Sequence, residues 1–226
     1  MSRLSPLFAA KLPSSIFRAG IIPYTTVNQK IYYCLGMDWP SGDYTDFGGR
    51  FSPKMDNNLT DCAMRELREE SLDVFPTSKN IDDCLAIYDN STIIIFMKVS
   101  GDMNKFTRTF ERVASREMKR RPDIRLEVKS IKWFAQHQMK GLANSKSMYA
   151  LVSKLIRSSL DDIHVTLRGR DNFDNAMCVP NHHSNVTHNL PSTRDINNVY
   201  TNNIYDILLG NGNCTLDKSQ HISMIS

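Results

Sequence analysis

The order of apolar runs, glycines and charged segments predicts an α/β fold, in which a sheet is covered by helices. Strand-forming runs alternate with amphipathic helical stretches over most of the chain. One helix, placed after a glycine pair, is dense in glutamate. Beyond about residue 162, asparagine becomes frequent and apolar runs become rare, which is typical of a loose polar tail. We therefore expect an N-terminal segment over 1–15, a folded domain over 16–162, and a partly disordered Asn-rich tail over 163–226.

Length and composition narrow the class of protein. The 226 residues suit one domain with a tail, and 41% hydrophobic with 23% charged residues is typical of a soluble globular protein. The longest apolar stretch, residues 93–97, is far too short to cross a bilayer. The five cysteines are an odd number and scattered, which indicates free thiols rather than disulfides or a zinc site. We expect a soluble, intracellular, cytoplasmic protein without membrane contact. Its net charge of +4 permits a phosphate-bearing partner.

The strands are predicted from β-forming runs bounded by turn residues. A hairpin is expected around Asn28–Gln29, with KIYYCLGM as its second strand. A short strand, YTDF, is expected to stop at Gly48–Gly49. CLAIYDN and STIIIFMKVS form two more strands around Asp89–Asn90, and LEVKSIKWF alternates like a half-buried strand.

Three helices are predicted between and after these strands. The first covers residues 59–71, with Asn58 or Thr60 as its N-cap. The second covers 106–121 and ends at a proline, and the third covers 145–160 with an apolar face. In the tail, NVYTNNIYDILLG is the only stretch that suggests a short helix or strand.

The glutamates of the first helix share one edge. Glu66, Glu69 and Glu70 are three and four residues apart, so they are neighbours on the helix surface and repel one another by a few tenths of a kcal/mol per pair. Bound Mg²⁺ or Mn²⁺ would reverse that effect, because these cations prefer carboxylate oxygens. Arg65 lies four residues before Glu69 and can hold its carboxylate. Glu-rich helices are also typical of solvated surfaces; the glycine turn upstream favours a ligand site.

The stretch from Gly48 to Leu72 resembles the Nudix box, a loop–helix–loop of the form G-x5-E-x7-R-E-U-x-E-E-x-G-U, where U is a bulky apolar residue. The core R-E-U-x-E-E is matched by Arg65, Glu66, Leu67, Glu69 and Glu70, and Gly49 matches the box glycine. The resemblance covers roughly residues 16–160. It implies an α/β/α sandwich with a mixed sheet, and hydrolysis of a diphosphate linked to another moiety with Mg²⁺ or Mn²⁺.

The sequence departs from the box at its edges. Asn57 stands where the box has its first glutamate, and the loop between Gly49 and this position is two residues longer than the standard spacing. Leu72 stands at the position of the box glycine, and Asp73 at that of an apolar residue. The helix must therefore end without a glycine.

The resemblance also implies roles for individual residues. Glu66, Glu69 and Glu70 would hold the cations, with the Gly49 carbonyl as a further ligand. The general base is open between Glu70, Glu127 and Glu117, and a surface salt bridge is the alternative role for the last two. The candidate catalytic residues are Glu70, Glu69, Arg65 and Glu127.

A basic face suggests a polyanionic substrate. Four arginines spaced by four line one side of the second helix: Arg108, Arg112, Arg116 and Arg120. RNA fits such a face, because phosphate contacts give affinity without reading sequence. A solubilising surface is the alternative. The candidate substrate-binding residues are Arg50, Arg112, Arg116, Lys119 and Arg120, and Trp39, Trp133 and Phe134 either stack on a base or belong to the core.

Three functions follow from these patterns. The DFGG opening, the altered box and the Asn-rich tail resemble Nudix proteins of large DNA viruses, some of which remove mRNA caps. The first hypothesis is therefore a hydrolase of the 5′ cap of RNA or a related nucleoside diphosphate compound, acting in the host cytoplasm if viral. The second is a hydrolase of nucleotide sugars, dinucleoside polyphosphates or inositol pyrophosphates. The third is a non-catalytic module that binds nucleotide or RNA.

Overall fold

A computed structural model describes residues 2–76, 81–123 and 125–177, with side chains described as far as residue 170. Its strands are β1 (Arg3–Pro6), β2 (Arg18–Val27), β3 (Lys30–Asp38), β4 (Tyr44–Thr45), β5 (Phe47–Arg50), β6 (Leu85–Tyr88), β7 (Thr92–Lys98) and β8 (Val128–Ala135). Its helices are α1 (Leu59–Ser71), α2 (Met103–Arg120), α3 (Gln136–Ala143), α4 (Ala150–Arg157) and α5 (Leu160–Met177).

The strands form one mixed sheet with β2 at its centre. The order is β1-β6-β7-β2-β3-β4, while β5 pairs with β2 and β8 pairs with β3. Strand β2 runs parallel to β7 and antiparallel to both β3 and β5. Its first half pairs with β5 and its second half with β3, so β5 occupies the place where β2 and β3 diverge.

Helices cover both faces of this sheet. On β2, Ile21 faces one apolar core and Ile22 faces the other, because successive side chains of a strand point to opposite sides. Helices α1 and α2 contribute to the first core, and α3, α4 and α5 contribute to the second. The predicted α/β fold, a mixed sheet between helices, is confirmed. None of the described helices is long and apolar enough to span a bilayer.

Several elements differ from the sequence-based expectations. Strand β5 continues through Gly48–Gly49 rather than stopping there. Helix α3 was not expected, and the helix expected over 145–160 is limited to Ala150–Arg157. Helix α5 continues past residue 162, because Ile163 and Leu167 are buried among otherwise polar neighbours. Part of the N-terminal segment joins the sheet as β1, which pairs with β6. The stretch NVYTNNIYDILLG lies outside the described residues.

Helix α1 begins and ends within a residue of its expected bounds. The Asn58 side chain caps it by accepting a hydrogen bond from the Asp61 amide at 2.8 Å. At the other end, Leu72 and Asp73 both take the left-handed conformation, with φ of 56° and 57°. The chain thus turns after α1 without a glycine, at a cost on the order of 1 kcal/mol for a side chain in this region.

Candidate active site

Helix α1 lies against strand β5, and glycine makes the contact possible. The Glu66 carboxylate is packed so closely on Gly49 that a Cβ at this position would overlap it. The neighbouring Gly48 donates its amide hydrogen to Glu70 Oε2 at 2.8 Å. Gly48 itself lies opposite Gly20 of β2, and a Cβ on Gly48 would come within 2.5 Å of the Gly20 Cα. The glycine pair therefore brings two glutamates of α1 onto a strand.

Arg65 organises the acidic edge of α1. Its Nε and Nη2 donate to the two carboxylate oxygens of Asp56 at 2.8 and 3.0 Å, a bidentate pair. Its Nη1 lies 2.7 Å from Glu66 Oε1 and 3.1 Å from Glu69 Oε2. The hydrogen bond to Asp56 chiefly raises the pKa of Arg65, and the same bond lowers the pKa of Asp56. One guanidinium therefore holds three carboxylates.

Asp56 was missed by counting along the Nudix box. Counting back from Arg65 places the first glutamate of the box at Asn57. Asn57 instead donates to Asp61 Oδ2 at 2.8 Å, and Arg65 pairs with the neighbouring Asp56. Asp56 is buried and also accepts from the Ser52 amide at 2.9 Å, so it fixes the loop before α1. The longer loop shifts the acid by one position. The sequence did contain a clue to this role, because Asp56 is an acidic residue directly beside the counted position.

The charged forms of two carboxylates in this site, Glu66 and Glu70, are disfavoured. Burial, together with the charges of Asp46 and Glu66, raises the pKa of Glu70 to about 9, against the opposing effect of the Gly48 amide. Burial also raises the pKa of Glu66, against the opposing effect of Arg65. Nearby Glu127 contributes to both shifts. A cluster whose charged forms are disfavoured is stabilised by a cation.

Glu127 reaches the site from the segment before β8. A cavity of about 160 Å³ is lined by Glu69, Glu70 and Glu127, together with Leu72, Arg125, Leu126 and Val128. Two candidate catalytic glutamates of α1 thus share this cavity with Glu127. The other candidate base, Glu117, lies on α2, 3.8 Å from the Nε of Arg116, and is not among the described residues that line the cavity.

The site's residues fit Mg²⁺ or Mn²⁺ by donor chemistry, because all offer carboxylate or carbonyl oxygens, and burial disfavours the charged forms of Glu66 and Glu70 in the absence of a cation. Within residues 2–76, 81–123 and 125–177, no three His, Cys, Asp or Glu side chains are positioned together as ligands. Glu66 and Glu69 are turned to Arg65, and Glu70 is turned to the Gly48 amide. The Gly49 carbonyl lies 3.7 Å from Cys62 Sγ.

The basic residues lie on two surfaces. Along α2, an open trough of about 650 Å³ is lined by Arg108, Glu111, Arg112, Ser115, Arg116 and Lys119. Arg120 is exposed on the last turn of the same helix. Arg50 is separate from them, at the end of β5, where its guanidinium carbon lies 5.7 Å from the centre of the Phe17 ring. Of these residues, Arg50 is next to the glutamate site, since its carbonyl accepts from Arg65 Nη2 at 3.5 Å.

The three aromatic residues considered for stacking divide by exposure. Trp133 packs on Phe75 and Phe106 in the first core, and Phe134 is buried in the second. Trp39 is 37% exposed, with Lys129 Nζ 5.7 Å from its ring centre. Trp39 is the most exposed of these three residues and the best placed of them to contact a ligand.

The sequence matches no protein-family model and no curated protein. Among solved structures, it is similar to an Ap4A hydrolase binary complex from C. elegans, at 20% identity over 68% of this chain and 98% of that chain, with a TM-score of 0.43. It is also similar to the NUDIX domain of Shewanella oneidensis NrtR complexed with ADP ribose, at 13% identity over 73% and 91%, with a TM-score of 0.36. A NUDIX-family hydrolase from Clostridium perfringens matches at 11% identity over 66% and 99%, with a TM-score of 0.33. Two of these three structures are described as Nudix proteins, and similarity at this level carries no argument about the activity of this chain.

Proposed function

We propose that this protein is a Nudix-type pyrophosphohydrolase that cleaves a nucleoside diphosphate linked to another moiety, with the 5′ cap of RNA as its substrate. One observation carries the proposal. Helix α1 brings Glu66 and Glu70 onto the Gly48–Gly49 strand, beside the cavity that Glu127 also lines. This is an oxygen-rich cleft lined by carboxylates, which suits a cation and phosphate chemistry.

Each residue then has a distinct task. Glu66, Glu69 and Glu70, with the Gly49 carbonyl, hold Mg²⁺ or Mn²⁺, and Arg65 sets the orientation of the first two. A cation bound there supplies charge neutralisation at the phosphate and a lower pKa for the attacking water. Glu70, which lines the cavity, is the proposed group that accepts the proton from water, and Glu127 of the same cavity is the alternative base.

The preference for RNA rests on the shapes of the two surfaces. The cavity beside Glu69 and Glu70, about 160 Å³, is smaller than the roughly 300–1,000 Å³ of pockets that enclose a whole small ligand. The basic trough of α2 is open and larger, about 650 Å³. A substrate that places one diphosphate at the cleft and extends as a polyanion over an open surface matches both. The candidate contacts are Arg50, Arg112, Arg116, Lys119 and Arg120.

A non-catalytic nucleotide- or RNA-binding module is the second candidate. It is favoured by the contacts of Arg65, which engages two of the three glutamates proposed as metal ligands. In that case the acidic edge stabilises the helix and the basic trough performs the function. A hydrolase of small nucleotides is the third outcome that the test below separates.

A substrate panel tests the proposal. Capped RNA, nucleotide sugars and dinucleoside polyphosphates are incubated with Mn²⁺, and the products are identified by mass. We expect cleavage of capped RNA, competition by long uncapped RNA, and loss of activity in Glu69→Gln and Glu70→Gln. Asp162→Asn, on an exposed residue of α5, is the matched control. Cleavage that ignores RNA competitor assigns the enzyme to small nucleotides, and RNA binding without any cleavage assigns the non-catalytic module.

We also propose an intracellular location. Three cysteines of the described region, Cys34, Cys62 and Cys84, are free thiols, as expected in a reducing compartment.

A further inference from the structure

A buried ion pair lies on the far side of the strand that receives Glu70. Arg18, only 6% exposed, donates from Nη1 to Asp46 Oδ2 at 2.9 Å and from Nη2 to Asp46 Oδ1 at 2.6 Å. Asp46 is fully buried and accepts a third hydrogen bond from the Thr45 hydroxyl at 3.0 Å. Burial lowers the pKa of Arg18, but Asp46 outweighs it and the pKa is raised, so the guanidinium stays charged.

The pair is built into the sheet with little room to spare. Gly20 lies directly beneath it, and a Cβ there would overlap the Asp46 carboxylate. Outside the sheet, the Tyr149 ring covers the guanidinium at 5.5 Å. These contacts hold the Arg18–Asp46 pair in one geometry. A pair held in this way can fix the position of the backbone beside it.

Gly48 connects this pair to the candidate site. Its carbonyl accepts from Arg18 Nη2 at 3.0 Å, and its amide donates to Glu70 Oε2 at 2.8 Å. The two polar groups of one glycine are therefore held by a cation and by a carboxylate. Gly48 is also paired with Gly20 in the sheet, and each of its two polar groups has a side-chain partner of its own.

We propose that Arg18 is a positioning residue for Glu70. With Asp46 as its anchor, it holds the Gly48 carbonyl and so restricts the backbone rotation of Gly48, and the Gly48 amide in turn holds the Glu70 carboxylate. Arg18 is not among the proposed metal ligands or substrate contacts. The inference rests on the proposed function for its catalytic meaning, while the chain of contacts exists in the metal-free protein and is tested there.

The geometry also specifies which replacements break the chain of contacts. Lysine keeps the charge of Arg18 but has one nitrogen, so it cannot bond both Asp46 oxygens and the Gly48 carbonyl in this fork. A double replacement, Arg18→Met with Asp46→Leu, removes the pair without leaving a buried charge unpaired, and such swaps are often neutral for stability. The double variant therefore separates positioning from folding.

Amide hydrogen exchange of metal-free protein, read by NMR, tests the proposal. The rate at Gly48 is compared with the rate at Ile95, a buried residue of β7. We expect this ratio to rise about tenfold in Arg18→Lys and in the double variant, the size of one lost hydrogen bond. Leu155→Ala, a destabilising change in the opposite core, should leave the ratio at its wild-type value. An unchanged ratio in the double variant overturns the proposal and leaves the pair a purely structural role.

Kinetics keep this inference apart from the proposed function. Where the wild type hydrolyses its substrate, both Arg18 variants should lose about tenfold in kcat with KM within about twofold. A wild type that hydrolyses nothing contradicts the proposed function, and the exchange ratio at Gly48 still decides the role of Arg18. A wild-type kcat in Arg18→Lys, together with a wild-type exchange ratio at Gly48, would overturn the positioning role.

Discussion

Replacing Glu70 with glutamine should stabilise the metal-free protein at neutral pH. Burial, together with the charges of Asp46 and Glu66, raises the pKa of Glu70 from about 4.5 to about 9. Between these values the folded protein holds a proton that the unfolded chain releases, so stability falls as pH rises through this range. At pH 7 the cost is at most about 3 kcal/mol, and we take about 1–3 kcal/mol because part of the side chain meets solvent. Glutamine mimics the protonated acid and still accepts from the Gly48 amide, so it removes this cost.

Urea unfolding at two pH values measures the effect. At pH 7, Glu70→Gln should increase the free energy of unfolding by about 1–3 kcal/mol, and at pH 4 by close to zero, because both states then hold the proton. Glu69→Gln is the matched control: its side chain is 60% exposed and paired with Arg65, so it should not stabilise at either pH. Added Mn²⁺ should raise the stability of the wild type more than that of Glu70→Gln. Equal effects of Glu70→Gln at pH 4 and pH 7 would refute the electrostatic reasoning.

Three further predictions concern the loop, the glycine and the basic trough. Arg65→Lys should lower the free energy of unfolding by about 1–3 kcal/mol, measured in urea, because the bidentate bond to buried Asp56 is lost; no change would show that the pair is dispensable. Gly49→Ala should weaken Mn²⁺ binding about tenfold or more in calorimetric titration, because the alanine Cβ would displace the Glu66 carboxylate. Unchanged affinity would exclude Glu66 as a ligand. Arg112→Ser with Arg116→Ser should reduce the salt dependence of RNA binding by about two phosphate contacts without changing cleavage of a cap dinucleotide, and an unchanged salt slope would show that the trough does not bind RNA.

The sequence predicts those parts of the fold whose signals are local. Helix α1 follows from its cap at Asn58 and the four-residue spacing of its apolar side chains, and β6 and β7 follow from dense β-forming runs around a turn. Helix α5 has no comparable signal, because Ile163 and Leu167 are isolated in a polar stretch and become informative only when they pack under the sheet. Strand β5 was cut short because glycines usually end strands, yet here they are needed where β5 meets β2 and α1.

The candidate site was likewise predicted only where its residues are close together in the sequence. Glu66, Glu69 and Glu70 lie within one helix, so a spacing rule groups them on one edge. Asp56 was missed because the longer loop moves the acid one position from where counting places it. The Arg18–Asp46 pair spans 28 positions and is created by the pairing of β2 with β5, which no local pattern records. Contacts that depend on strand pairing could therefore be identified only from the structure.

The most direct test of the central claim is the mass of the products released from capped RNA by the wild type with Mn²⁺ in ¹⁸O-labelled water. Metal-assisted attack of water on phosphorus predicts a released nucleoside diphosphate or monophosphate, one ¹⁸O in a product phosphate, and neither product from Glu70→Gln. A folded wild-type protein that binds Mn²⁺ and capped RNA but releases no labelled phosphate would contradict the claim.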